Sequence, residues 1–369
     1  MNIEDKLLSE IEEIRKEIKT DNFSMAIREL VQVYKDGDLE LFPSYQRLFR
    51  WKDEQKTRFI ESLLMGIPTP PIFIAQKKGS KWTVVDGLQR ISTILQLMGL
   101  FEDNNGVKKP TFDFTPSEKI PSIEGLNWDT LPDDAQRIIK MSKLDLKIIL
   151  VEENVSAQYE LFKRLNTGSV VLSPQEIRNC LMIMLNEEYY SKIDEVKSFN
   201  DFKEVINITE NKEEIEYPME LILRYFIMKY NKIDFGNYNL SKDLLSDFID
   251  KETIKLIEDD EFNIDFELNT FKRLFTLLNK TLKGDSFKKY NNVSSQFEGA
   301  FLQVSFEGIV SGLANNIEYY EAREDLLINK IKEMYHDETY LENAKRGTKA
   351  LTRIKNMIEF SNQYFKPND

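Results

Sequence analysis

Trp82-Thr83-Val84-Val85-Asp86-Gly87-Leu88-Gln89-Arg90 is the stretch on which the reading of this chain turns. Residues 82–85 have the composition of a strand, apolar residues recur at helical spacing from Gln89 to Leu100, and Asp86-Gly87 lies between the two. A strand that hands over to a helix through glycine lets the backbone approach a ligand. It also presents the first helical N–H groups and the positive end of the helix dipole, a setting that favours an anion. Arg90 is placed to grip phosphate oxygens in bidentate fashion, and Asp86 to hold Mg²⁺ directly or through water. Asp-Gly between a strand and a helix is also common as a plain turn, so the stretch alone leaves both readings open.

Moving upstream, Ile72–Gln76 and Lys81–Val85 are β-rich runs joined by Lys77-Lys78-Gly79-Ser80, which has the composition of a hairpin turn. Ile67-Pro68-Thr69-Pro70-Pro71 cannot continue a helix, whereas Lys52–Met65 carries an apolar stripe and stops at Gly66 as a glycine-capped helix does. A strand is expected over Leu39–Phe42, a helix over Met25–Tyr34, and a charged amphipathic helix over residues 1–20. Downstream, residues 102–135 read as an extended loop, and Leu144–Val151 as a strand. Ala157–Leu165 reads as a helix ending at Asn166-Thr167-Gly168, and Ser173-Pro174-Gln175-Glu176 as a capping box with proline at the first helical position. Beyond it, long amphipathic segments recur around Met219–Tyr230, Phe271–Leu282, Phe301–Asn315 and Ala350–Phe365. The expected organisation is a helix over residues 1–22, a mixed α+β domain over 23–180 and a mainly α-helical domain over 181–369.

Two further polar clusters flank the opening stretch. Tyr45-Gln46-Arg47 offers amide and guanidinium donors suited to a phosphate or a base edge, with Trp51 as a stacking face. The same residues also suit a turn stapled to the core by Tyr45 and Trp51. Phe162-Lys163-Arg164-Leu165-Asn166-Thr167-Gly168 gathers Arg164 and Asn166 at a helix end, from which both can reach into a cleft. In the following Leu172–Asn179 run, Glu176 has an adequate role in the capping box, and Arg178 suits pairing with an acid.

Taken together, these motifs resemble a known family. Pro-x-Tyr-Gln-Arg with a following Trp, Ile-Pro-x-Pro-Pro-Ile, Asp-Gly-x-Gln-Arg, Phe-x-Arg-Leu-Asn-Thr-Gly and Leu-Ser-x-Gln-Glu-x-Arg-Asn are similar, in order and spacing, to the N-terminal domain of GmrSD-type modification-dependent restriction systems. The resemblance covers roughly residues 25 to 180. It implies a ParB/sulfiredoxin-like α+β fold in which the family's Asp-Gly-Gln-Gln-Arg motif supports binding and hydrolysis of a nucleoside triphosphate with Mg²⁺. Here the motif reads Asp86-Gly87-Leu88-Gln89-Arg90, so the family's first glutamine is Leu88 and any role it has in orienting water is lost. The expected site comprises Asp86 and Arg90 as catalytic groups, Asp86 doubling as the Mg²⁺ ligand. Tyr45, Gln46, Arg47, Gly87, Gln89, Arg164 and Asn166 contact the nucleotide, which the sequence does not specify as GTP, UTP or ATP.

Composition bounds these expectations. The chain of 369 residues has 63 acidic against 50 basic residues, a net charge of −13, so its overall field repels a polyanion and any DNA contact must be local. A candidate contact is Lys345-Arg346-Gly347-Thr348-Lys349 with Arg353, since Lys345, Lys349 and Arg353 share one face if the segment is helical; a solvated helix face is the commoner origin of such a group in a chain this rich in charge. His336 is the only histidine, which leaves an HNH nuclease without its base. The one Glu-x-Lys near the motifs, Glu54-Gln55-Lys56, falls on an expected helix, the wrong setting for a nuclease centre. A single cysteine, Cys180, the absence of a signal-like start and the absence of a ~20-residue apolar run point to the cytoplasm and away from a membrane. The functional expectation is a nucleotide-binding, NTP-hydrolysing component of a restriction or anti-phage defence system that works with a separate nuclease subunit. The alternative is a non-enzymatic DNA- or protein-binding regulator with a vestigial nucleotide pocket.

Overall fold

The computed structural model describes residue 7 and residues 19–41, 51–77, 81–102, 107–151 and 173–367. They belong to two compact units, Met1–Val171 and Leu172–Asp369. The first unit is mixed and the second is helical apart from one hairpin, which bears out the α+β class followed by a helical region.

In chain order the first unit contains β1 (Lys19–Ala26), α1 (Ile27–Lys35), β2 (Leu39–Glu40), α2 (Asp53–Leu64), β3 (Ile72–Lys77), β4 (Trp82–Asp86), α3 (Leu88–Leu97), α4 (Asp133–Met141) and β5 (Lys143–Val151). The sheet order is β1-β5-β3-β4-β2. β3 runs parallel to β5 and antiparallel to β4, while β1 and β5 are antiparallel and β2 and β4 parallel. Strand β5 explains why helices cover one face: Leu144, Leu146 and Ile148 are buried while Lys143, Asp145 and Lys147 between them are exposed, the period-2 pattern of a half-buried strand. The buried set joins Ile27 and Leu30 of α1, Phe59, Ile60 and Leu63 of α2, Ile72 and Ile74 of β3 and Ile91, Ile94 and Leu95 of α3 in one core.

Two sequence expectations change. Residues 19–22, expected at the end of a helix, are strand: β1 pairs with β5 over its full length, from Lys19 opposite Leu150 to Ala26 opposite Lys143. Thr20-Asp21-Asn22 are poor helix formers, and the edge of β5 supplies a ladder that local propensity cannot match. Leu7 is helical, and the remainder of that expected helix lies outside the described residues. The loop expected over residues 102–135 contains a 3₁₀ turn at Pro121–Ile123 and the start of α4, which was not anticipated. Pro132 followed by Asp133 and Asp134 in the first turn is an N-terminal signature, and Ile139 anchors the helix in the core.

The second unit comprises α5 (Pro174–Leu185), α6 (Glu187–Lys197), α7 (Asn200–Ile206), α8 (Glu210–Glu214), α9 (Tyr217–Tyr230), α10 (Leu245–Glu258) and α11 (Ile264–Thr281). A hairpin, β6 (Lys289–Asn291) with β7 (Gln296–Glu298), precedes α12 (Gln303–Asn315), α13 (Ile317–Glu321), α14 (Glu324–Met334), α15 (Glu338–Asn343) and α16 (Ala350–Tyr364). The expected capping box is present: Ser173 Oγ accepts from the Glu176 N–H at 3.2 Å and Glu176 Oε2 from the Ser173 N–H at 2.7 Å. The helices are tied by buried ions as well as apolar side chains. Arg224 of α9 donates to Glu220 at 2.6 Å and to Glu307 of α12 at 3.0 Å, and Arg353 of α16 donates to Glu307 at 2.6 Å. Burial disfavours the Arg224 charge, but Glu220 and Glu307 outweigh that cost and raise its pKa.

Several buried tyrosines make this unit alkali-sensitive. Burial pushes Tyr217 and Tyr320 up to about 12, and burial with the nearby Glu267 carboxylate also raises Tyr189 and Tyr225 well above the ordinary tyrosine value. The folded state thus keeps protons that the unfolded chain releases near pH 10, so stability is intact below about pH 10 and falls as pH rises through 10 to 12. The expected result is a flat urea midpoint from neutral pH to about pH 9 and a decline above it. Tyrosine ionisation, followed by ultraviolet absorbance, should show one group of residues titrating only as the helical signal is lost. A single smooth titration near pH 10 with the fold intact contradicts this.

Candidate functional site

Strand β4 does not end squarely against β3. Ile74 pairs with Val84 but Phe73 pairs with Asp86, so Val85 is an extra residue that bulges the strand one step before the turn. Bulges re-aim a chain, and this one delivers Gly87 to the start of α3. Gly87 has φ +100°, and its carbonyl accepts from the N–H groups of Arg90 and Ile91, both at 3.0 Å. A Cβ at this position would lie 2.8 Å from Ile72 Cγ1 and 3.2 Å from Arg90 Nη2. Conformation and space both demand glycine. Helix α3 extends for ten residues with its dipole end at this turn.

The side chains of the motif have defined partners. Gln89 Oε1 accepts the main-chain N–H of Trp51 at 3.1 Å, and the Trp51 ring packs edge-on against Phe59 of α2 with centroids 5.7 Å apart. Leu88 is half-buried and packs against the core of the unit. Arg90 is 9% exposed, and its Nη1 donates to the Pro70 carbonyl and, at 3.2 Å, to the Pro71 carbonyl. These carbonyls belong to the Ile67–Pro71 strap between α2 and β3, a partner that sequence reasoning missed. The signal was present: prolines cannot donate to a ladder, and their carbonyls remain to be satisfied.

Gly87, Gln89 and Arg90 are thus assembled, with Trp51, at one end of the sheet. Tyr45, Gln46, Arg47, Arg164 and Asn166 lie outside the described residues, as does the Asp86 side chain. The Gln-Glu-x-Arg-Asn stretch, by contrast, is structural within the second unit. Arg178 is fully buried, donates to Asp250 of α10 at 2.7 Å and to Gln175, and reaches the Ser246 carbonyl at 3.3 Å, while Gln175 donates to Asn179 at 2.8 Å. The basic group at 345–353 does not form the shared helical face. Lys349 is the N-cap of α16, Lys345 and Arg346 lie in the turn before it, and Arg353 is held by Glu307. His336 is exposed in a turn, its Nδ1 3.2 Å from Asn292 Nδ2.

Among the described residues, a surface cleft of about 500 Å³ lies beside α11 and α13, with Lys229, Phe266 and Arg273 in its wall. It is no better candidate. Lys229 is bound to Glu267 at 2.6 Å and Arg273 to Glu321 at 2.6 Å, so its cations already have anions. No group of three or more His, Cys, Asp or Glu side chains suited to a metal occurs among the described residues. No helix there is long and apolar enough to cross a membrane.

A mixed sheet whose bulged strand ends in a glycine turn and a helix, with the motif arginine buried beneath, defines an α+β domain built around one loop. Residues 27–183 match the family model of the GmrSD restriction endonuclease N-terminal domain. The match extends beyond the first compact unit and includes most of α5, so the Arg178 staple is part of the matched segment. No curated protein and no solved structure matches this chain.

Proposed function

We propose that the Gly87 turn binds a nucleoside triphosphate with Mg²⁺, and that the chain is the nucleotide-responsive component of a restriction or anti-phage defence system in the cytoplasm. The observation that carries this reading is the turn itself. A left-handed glycine at the end of a bulged strand opens α3 at one end of the sheet, in a domain that matches a restriction endonuclease family. The residues fit such a group: the dipole at the start of α3 favours phosphate charge, and Asp86, next to Gly87 in sequence, is a carboxylate able to ligate Mg²⁺. Trp51 is fastened through its main-chain N–H to Gln89, so residue 51 stands beside the motif. Bound Mg²⁺ screens phosphate charge; the chain's part is to orient the phosphates at Gly87 and, through Arg47, Arg164 and Asn166, to neutralise and position the nucleotide.

The histidine that an HNH centre requires is not offered by His336, so we assign DNA cleavage to a separate nuclease subunit. The second unit carries 26 basic against 36 acidic residues, and of the expected basic group Lys345, Arg346 and Lys349 are exposed, with Lys345 3.5 Å from Glu342, so a local DNA contact would fall to them. One observation favours a second reading, binding without turnover. Leu88 turns into the core where the related motif has a glutamine able to orient water. Calorimetric titration of GTP, UTP and ATP with Mg²⁺, beside phosphate release by the wild type and an Asp86→Ala variant, separates these. Saturable binding with release that the variant lacks is the expected result. Binding without release selects the regulator, and no binding by any triphosphate overturns the nucleotide site.

A further inference from the structure

We infer that Arg90 is a positioning residue that locks the Gly87 turn onto the proline strap, rather than a ligand of the phosphates; this rests on the nucleotide reading above only for what the turn is positioned to bind. Side chains on a helix lean toward its N-terminus, so a residue at the third helical position reaches back under its own cap. Arg90 does so. Its Nη1 is held between the Pro70 and Pro71 carbonyls, and its Nη2 lies 3.2 Å from where a Cβ on residue 87 would sit. The guanidinium therefore fills the space behind the turn, among strap, glycine and Ile72, and is 9% exposed. The strap carbonyls precede β3, which pairs with both β4 and β5, so the same ion fixes where the strand–turn–helix unit stands relative to the sheet. A planar fork is suited to bridging adjacent carbonyls in a way that a lysine ammonium on a thinner stem is not. The motif's contribution to phosphate binding is then main-chain and through Asp86, and the recognition of triphosphate charge falls to cations outside the motif.

The test uses Arg90→Lys and Arg90→Gln in the full chain with two readouts. Hydrogen exchange at the main-chain amides of Thr69, Ile72 and Gly87 reports the strap; affinities for the triphosphate and the diphosphate of each base report the phosphates. Both variants should raise exchange at those amides, and both affinities should fall by the same factor, about tenfold, leaving their ratio unchanged. Unchanged exchange, or a triphosphate affinity that falls selectively in Arg90→Gln and returns in Arg90→Lys, overturns the inference. A wild type that binds no nucleotide refutes the nucleotide reading, while the exchange comparison still decides the latch. Should the variants fail to fold, exchange in the wild type with and without triphosphate takes their place. A guanidinium that turns to phosphate must release the carbonyls and raise exchange on binding, whereas a latch keeps it level or lowers it.

Discussion

A Gly312→Ala variant should lose about 3 kcal/mol or more of the stability of the helical unit, lowering its unfolding temperature by roughly 6–12 °C or preventing folding altogether. The cause is the crossing of α12 and α16. A Cβ on residue 312 would stand 1.9 Å from the Ser361 carbonyl oxygen and 2.4 Å from its carbon, so the collision is with main chain and no rotamer relieves it. The helices also exchange a hydrogen bond at that point, from the Gly312 N–H to Ser361 Oγ at 2.9 Å. Parting the helices breaks this bond and opens a core that holds Phe306, Ile309, Leu313, Ile354 and Ile358. Glu307, which binds both Arg224 and Arg353, sits in the same interface, so a shift there strands buried charge as well. Gly308, one turn earlier, is the internal control: its added Cβ would meet Tyr340 Cε2 at 3.4 Å and Met357 Sδ at 3.5 Å, ordinary contact distances. Gly308→Ala should be neutral or stabilise by up to about 1 kcal/mol through helix propensity. Urea unfolding of the full chain followed by circular dichroism measures both. Equal effects of the two alanines mean that helix propensity, not the crossing, governs this pair.

Those two glycines show where sequence reading stops. Gly308-x-x-x-Gly312 lies within Phe301–Asn315, read as a long amphipathic segment, yet nothing in the sequence says which glycine faces a neighbouring backbone, because that depends on a helix about 50 residues away. The elements with a local signature were legible: the Ser173 capping box, the Gly66 C-cap with φ +67°, the β3–β4 pairing and the handover at Gly87 all follow from residue type and spacing. Elements fixed by a distant partner were not. β1 is a strand because β5 is there to pair with it, and α4 is short enough that its periodicity hardly shows. At the candidate site the turn was readable, but the destinations of its side chains were not. Arg90 and Gln89 were expected to face a ligand, and both have partners in the chain, because prolines 20 and 19 residues earlier and Trp51, 38 residues earlier, return to the turn in three dimensions. Arg353 was similarly expected at a surface, and a buried carboxylate on another helix holds it.

The largest effect on the site itself is expected from Gly87→Ala, which should abolish measurable nucleotide binding while leaving the helical unit intact. Residue 87 has φ +100°, which an alanine adopts only at a cost of about 1–2 kcal/mol, and its methyl would be 2.8 Å from Ile72 Cγ1. Ile72 is wholly buried and paired in β3 between β4 and β5, so it cannot yield. The turn must therefore rise from the strap, and the bond of Arg90 to the Pro70 and Pro71 carbonyls lengthens with it. A displacement near 1 Å is enough to misalign main-chain N–H groups from phosphate oxygens, because hydrogen bonds weaken steeply outside their narrow range of length and angle. The steric origin is testable by a double-mutant cycle. Ile72→Ala alone should cost about 2–5 kcal/mol as a core truncation, but noticeably less when residue 87 is already alanine, since it then also relieves the clash. Strict additivity of the two changes in urea unfolding means that the backbone conformation alone accounts for the glycine. Unchanged nucleotide affinity in Gly87→Ala means that the ligand does not sit on this turn.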